Sequence, residues 1–170
     1  MKSVYAQVRQ RGGICIADEV QTGFGRVGDK WWAYEQLGLD PDLVIIGKPM
    51  GNGHPMAAVV TTDQLADSFN NGMEFFSSFG GNPVSCKMGL AVLDAIEHYR
   101  LKENTLKVGN YFKGLLEQLA SRIPAIVEVR GSGLFLGVEF QVDGQPATEL
   151  VAKVVDRMKD LGILLSSDGP

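Results

Sequence analysis

The sequence predicts an α/β fold, and three features carry that prediction. Two short apolar runs rich in β-branched residues, 14–17 and 43–46, lead into turns, as strands buried in a parallel sheet do. Helical periodicity recurs between and after them, most clearly over 84–97 and 101–121. Glycine- and proline-rich turns punctuate the chain and separate one type of element from the next.

Each element follows in order. Residues 3–11 set Val4, Tyr5 and Val8 on one face of a short helix that Gly12-Gly13 stops. Ile14-Cys15-Ile16-Ala17 is predicted as a strand buried on both faces, ending in Asp18-Glu19. The glycine-rich Gly23-Phe24-Gly25-Arg26-Val27-Gly28 follows, then a short helix over 31–37 closed by Gly38. Pro41-Asp42 leads into a second buried strand, Leu43-Val44-Ile45-Ile46, with Gly47-Lys48 at its C-terminal end. After the turn-rich residues 49–55 come a third strand over 56–60 and a helix near 64–69. The loop 77–83 precedes two helices, with Leu90, Leu93 and Ile96 on one and Leu106, Tyr111, Leu115 and Leu119 on the other. Pro124 ends the second. Residues 126–129 and 134–140 read as two strands around the turn Arg130-Gly131-Ser132-Gly133. An amphipathic helix over 147–160 and a final strand over 163–165 complete the order. The α/β architecture occupies the first two-thirds, and a smaller α+β unit begins around residues 105–120.

Composition narrows the function classes. Of 170 residues, 45% are hydrophobic and 21% charged, as in globular domains, and the net charge is −4. Without a basic block or stripe, neither nucleic acid nor an anionic membrane is an expected partner. Cys15 and Cys86 sit among apolar or small residues without metal-ligand spacing and read as reduced core thiols; no metal site is expected. No apolar run reaches membrane-spanning length and the first ten residues lack a signal core, so the expected compartment is the cytoplasm.

Ionisable groups just beyond the C-terminal ends of parallel strands face the crevice where α/β sheets bind ligands. Asp18 follows one strand and Lys48 the next. Fed by an apolar strand between Gly47 and Pro49, the Lys48 amine is expected to be partly desolvated, which favours its neutral, nucleophilic form. A buried carboxylate at Asp18 suits a protonated pyridine nitrogen. The plainer alternative is a surface lysine and an aspartate that caps a turn.

The flanking residues bear on that choice. Asp18-Glu19-Val20-Gln21-Thr22-Gly23-Phe24-Gly25-Arg26-Val27-Gly28 closely resembles the D-E-V-Q-x-G-x-G-R-x-G segment of the class III (ornithine-type) aminotransferases. Pro41 to Lys48 resembles that family's P-D-[apolar]-G-K segment, thirty positions on at the lysine. Ser77-Ser78-Phe79-Gly80-Gly81-Asn82-Pro83 resembles S-T-[FY]-G-G-N-P, and Val129-Arg130-Gly131-Ser132-Gly133-Leu134 resembles V-R-G-x-G-L. The four segments, in family order, cover nearly the whole chain.

The resemblance implies the C-terminal part of a fold-type I pyridoxal-phosphate transferase large domain, over residues 1–105, and the start of a small C-terminal domain over 106–170. It implies pyridoxal 5′-phosphate as cofactor, with Lys48 as the Schiff-base lysine and proton shuttle and Asp18 paired with the pyridine nitrogen. Val20 would pack on a ring face and Gln21 would lie near the phenolic oxygen. Ser78, where the family usually has threonine, would contact the cofactor phosphate of the neighbouring subunit in a homodimer; a serine hydroxyl can make the same hydrogen bond. The glycines of 23–28 suit tight turns better than a phosphate cradle, and Arg26 suits bracing that loop against a carboxylate.

The implied reaction is transfer of an amino group between an amine or amino acid and a keto acid or aldehyde. Residues 47–55 and 164–170 look particularly like the ethanolamine-phosphate and phosphohydroxylysine phospho-lyases, so phosphate elimination from a phosphorylated amine is the alternative. The alanine–glyoxylate aminotransferases share much of the first segment. The family's S-G-[ST]-E-A-like phosphate segment and its closing segment have no counterpart here, so the chain is expected to be a fragment, inactive alone. A short non-catalytic cofactor-binding or subunit-pairing module is the remaining alternative.

Overall fold

The computed structural model describes residues 1–168, and Gly169 and Pro170 lie outside the described residues. Helix α1 (Lys2–Gln10) precedes strand β1 (Ile16–Asp18), the single-turn helix α2 (Ala33–Gln36) and strand β2 (Leu43–Ile46). A 3-10 turn (Lys48–Met50), strand β3 (Ala58–Thr61) and helix α3 (Asp63–Phe69) follow. Two long helices, α4 (Pro83–His98) and α5 (Leu101–Ala120), lead to strands β4 (Ile126–Ser132), β5 (Phe135–Val142) and β6 (Gln145–Pro146), then helix α6 (Thr148–Asp160). The architecture is the mixed α/β one that the sequence predicts.

The first sheet has the order β1-β2-β3. β1 runs parallel to β2, with Asp18 opposite Ile45, whereas β3 is antiparallel to β2, with Val44 opposite Val60. Antiparallel β3 follows from its connection: residues 47–57 only turn the chain back, and a parallel return needs a crossover of a dozen residues or more.

One face of this sheet is covered. Val44, Ile46 and Ala58 pack with Phe24, Trp31, Trp32, Val92 and Ile96, joining the sheet to α4 and to the glycine-rich loop. Phe24 and Trp32 meet edge to face at 5.2 Å. The other face is open: Ile14 and Ile16 remain 49% and 51% exposed. The expected burial of β1 on both faces is therefore corrected. β1 is an edge strand with nothing among the described residues over its outer face. Cys15 is buried as expected, but Cys86, in the first turn of α4, is exposed.

Asp42 fixes the register of the parallel pair. Its Oδ2 accepts the Cys15 N–H at 2.6 Å and its Oδ1 accepts Arg9 Nη2 at 2.9 Å, tying α1, β1 and β2 together. The Cys15 N–H first, and Arg9 second, hold the Asp42 carboxyl below the usual carboxylate range. A depressed folded value gives stability that is present above the unfolded value and lost as pH falls through the folded one. Asp42→Ala is expected to destabilise the protein by about 2 kcal/mol at neutral pH. Melts at successively lower pH are expected to show the gap between variant and wild type starting to narrow at about pH 4 and closing further as pH falls through the lower folded value; a gap that does not depend on pH would contradict this.

The second sheet, β4-β5-β6, is an antiparallel meander. β6 is an addition to the predicted order: Asp143 and Gly144 take φ of 54° and 73°, as a two-residue hairpin turn requires. The strand expected at 163–165 does not form. Residues 163–168 are irregular, pair with no strand among the described residues, and leave Leu164 exposed.

The second sheet meets the glycine-rich loop at its hairpin turn. Leu134 N–H donates to Arg26 O at 3.0 Å, and Ser132 Oγ to Val27 O at 2.7 Å. A Cβ on Gly133 would collide with the Val27 and Gly28 backbone, and one on Gly109 of α5 would collide with Gly133. Small residues at 109 and 133 let helix, hairpin turn and glycine-rich loop close on one another.

Candidate active site at the strand ends

Residues 18–21 run beside residues 45–48 at the C-terminal edge of the parallel pair. Asp18 is level with Ile45, and the Glu19 N–H donates to Ile45 O at 2.8 Å. One step on, Val20 lies against Gly47, whose ideal Cβ position is 3.6 Å from Val20 Cγ1. A further step brings Gln21 and Lys48 to the wall of one cleft of about 330 Å³, shared with Arg26, Asn52, Leu134 and Phe135. A neighbouring cleft of about 430 Å³ has Lys48, His54 and Met56 in its wall. Lys48 thus stands where the two clefts meet.

The backbone at Lys48 is bent out of the strand. Its φ is 23°, in the left-handed region that side-chain-bearing residues seldom enter, at a cost on the order of 1–3 kcal/mol. Met50 N–H closes the turn on Gly47 O at 2.7 Å, and buried Pro49 holds it from beneath. The turn ends β2 and sends the amine sideways into the clefts. Lys48 is exposed, so the expected desolvation of its amine is not provided by these residues.

Adjacent carboxylates at the end of β1 point to opposite faces, as the period of a strand dictates. Asp18 lies on the open face with Ile16, is exposed, and lines neither cleft; its Oδ1 accepts the Val20 N–H at 3.0 Å. The buried setting expected for Asp18 is corrected, because none of the described residues covers that face. Glu19 takes the covered face and is only 2% exposed. Its carboxylate accepts the Tyr34 N–H at 2.9 Å and the Thr22 hydroxyl at 2.7 Å, pinning the start of α2 to the strand end.

Ser78 stands apart. It is exposed in the loop between α3 and α4 and lines neither cleft. Around it Met73, Phe75, Phe76 and Phe79 are 76–84% exposed, a concentration of uncovered aromatic surface. Arg26 makes no ion pair among the described residues and lines the Lys48 cleft instead of bracing its loop. Arg130 orders its hairpin through Glu128 at 2.9 Å and Glu139 at 2.6 Å.

Glu19 and Asn52 join the site or its support without a reading as site residues in the sequence, whereas Arg26 reads there as a loop brace and His54, beside the lysine loop, as equally suited to facing the site or to a loop hydrogen bond. Strand alternation is the signal for Glu19, since a residue beside an open-face carboxylate must face inward. Nothing local signals Asn52, which arrives through the fold.

The Aminotransferase class-III family pattern matches residues 1–170. The chain belongs to the class-III aminotransferase family. It is 47% identical to the alanine–glyoxylate aminotransferase 2-like protein of Drosophila melanogaster, over 99% of this chain and 35% of that one. It is 40% identical to the mitochondrial alanine–glyoxylate aminotransferase 2 of Homo sapiens, over 97% of this chain and 33% of that one. The chain therefore spans about a third of the length of these curated relatives. Among solved structures, a phospholyase from Arthrobacter in complex with phosphoethanolamine superposes with a TM-score of 0.94 at 42% identity, covering 99% of this chain and 41% of that one. The ornithine aminotransferase of Toxoplasma gondii, described with partial occupancy of PLP at its active site, gives 0.84 at 29% identity, covering 97% and 38%.

Pyridoxal phosphate is the cofactor of this class-III family, and the donor set at the strand ends fits it. A carboxylate, an apolar side chain, an amide and a primary amine follow one another where residues 18–21 run beside 45–48: Asp18 level with Ile45, Val20 against Gly47, and Gln21 with Lys48 in one cleft. These are the chemical types that an aldehyde and a polar aromatic ring call for, with the amine and the amide sharing a cleft. No helix of this class-III chain, among the described residues, is long and apolar enough to cross a membrane.

Proposed function

We propose that this chain supplies the lysine-bearing portion of an enzyme that moves an amino group between an amine or amino acid and a keto acid or aldehyde. The observation that carries the reading is the ladder that ends with Lys48 and Gln21 in one cleft. Pyridoxal phosphate, when bound, supplies an electron sink for the carbon that carries the substrate amine. Lys48 holds the cofactor and then carries a proton between carbon atoms across the cleft. Asp18 keeps the pyridine nitrogen protonated, Val20 limits the tilt of the ring, and the Gln21 amide meets the phenolic oxygen. Ser78 serves the cofactor phosphate of a second subunit. The exposed aromatic surface around Ser78 supports a homodimer, because Phe75, Phe76 and Phe79 gain a cover there. We place the division between the large domain (1–105) and the small domain (106–170) within α5, which packs along β4 and β5.

Phosphate elimination from a phosphorylated amine is the second reading, favoured by the TM-score of 0.94 against the Arthrobacter phospholyase. Both reactions begin with proton removal by the same lysine, and they part according to what holds the leaving group or the substrate carboxylate. Product analysis with phosphoethanolamine separates them. The proposed function predicts amino transfer to a keto acid with no release of inorganic phosphate. Phosphate release without amino transfer would replace it with the second reading.

The cytoplasmic address expected from the sequence competes with the mitochondrial one in the name of the human relative. Fractionation of cells carrying the tagged full-length protein decides between them.

A further inference from the structure

A second network joins the lysine turn to the Ser78 loop. His54, half-buried, ends the turn that begins at Lys48, and its Nε2 lies 2.7 Å from Ser85 Oγ in the first turn of α4. Asn82 caps that helix by accepting the Ser85 N–H at 2.9 Å, while its Nδ2 donates to Ser85 Oγ at 2.9 Å and to Phe79 O at 2.7 Å. Ser85 Oγ accepts from Asn82, and the tautomer of the ring sets which partner donates in its hydrogen bond with His54 Nε2.

The network sits within a packed seam. Ser85 and Gly89 are one helical turn apart on the same face of α4. An ideal Cβ on Gly89 would lie 3.0 Å from the Met56 side chain, so the return of the lysine loop is seated along that face. Gly51 admits no side chain there, because its Cβ would strike the carbonyl of His54. Asn52 and Gly53, with φ of 45° and 102°, complete a turn of little slack. His54 and Lys48 share the wall of the second cleft.

We infer that His54 is a positioning residue that locks the Lys48 turn, through Ser85 and Asn82, to the loop bearing Ser78. The inference rests on the proposed function and deepens it. In a homodimer each cofactor is held by Lys48 of one subunit and Ser78 of the other, so the lock, by fixing the Lys48 turn to the Ser78 loop in each subunit, keeps both cofactor sites in register. The relevant cost of losing it is misplacement, which reduces turnover before it reduces substrate binding.

The test uses the holoenzyme and four variants: His54→Phe, Ser85→Ala, the two together, and His54→Gln. Glutamine places an amide near the position of Nε2, and it and Ser85→Ala remain readable if His54→Phe does not fold. His54→Phe and Ser85→Ala are each expected to lower kcat by about two- to tenfold. KM for the amine should hold, and the dichroism of the cofactor band, per cofactor bound, should weaken. The double variant should lose no more than the worse single one, as partners in one interaction do. His54→Gln should restore most of the loss. Unchanged kcat and dichroism in both single variants would overturn the lock, as would losses that multiply in the double variant or a glutamine that rescues nothing. Borohydride labelling of the wild type runs alongside. A label on Lys48 with silent variants removes the lock alone, whereas no label on wild-type Lys48 removes the proposed function itself.

Discussion

Replacing Lys48 with alanine is expected to reduce turnover of the holoenzyme by about 10⁴-fold or more, because one side chain both anchors the cofactor and carries the proton. The fold should be indifferent to the change. Lys48 is exposed and makes no ion pair among the described residues, and substitutions at such positions stay within about 0.5 kcal/mol. Alanine also inherits the positive φ, so the strain of the turn remains in the variant. A melting curve that matches the wild type, beside a lost activity, is the expected pair of results. Peptide mapping after borohydride reduction supplies the direct check. The wild-type peptide holding Lys48 should carry the cofactor label, and the variant should carry none anywhere. A label on a different lysine would remove the site from this turn altogether.

Much of this site was legible in the sequence because its parts are local. Strand β2 is four apolar residues between Asp42 and Gly47, and a lysine after such a strand falls on the ligand edge of the sheet. The helices α4 and α5 were equally legible, since their apolar spacing persists over several turns and Asn82-Pro83 marks the start of α4. Burial was not local. Apolar character at Ile14 and Ile16 specifies a face that needs a cover, but it does not specify that the cover lies within this chain. Asp18 and Lys48 are exposed for the same reason. Direction was also hidden, because the residues of β3 suit either sense and the short turn before it decided the antiparallel one. The missing strand at 163–165 is a failure of the same kind: an apolar run of three has no preference strong enough to order it without a neighbour. Asp143-Gly144, by contrast, was a hairpin signal present in the residues themselves. The His54–Ser85 contact spans thirty-one positions and exists only because α4 folds back over the lysine turn.

Asp18→Asn is expected to lower turnover by about 10²- to 10³-fold, on the scale of removing one group that stabilises charge at the reacting centre. The choice of asparagine decides between two roles for this residue. In this chain Asp18 Oδ1 accepts the Val20 N–H at 3.0 Å, a local turn contact that an asparagine carbonyl makes equally well. If that contact were the whole of its work, asparagine would be silent and alanine would be harmful. If the negative charge is what matters, because it keeps a ring nitrogen protonated, asparagine must fail nearly as badly as alanine, while the turn and the melting temperature survive. The amide is isosteric, so the loss cannot be assigned to a cavity or to a displaced strand end. The cofactor label on Lys48 should persist in Asp18→Asn, since the aldehyde reacts with the amine and not with the carboxylate. Wild-type turnover in Asp18→Asn, together with a damaged Asp18→Ala, would reduce Asp18 to a turn residue and leave the pyridine nitrogen without its partner in this chain.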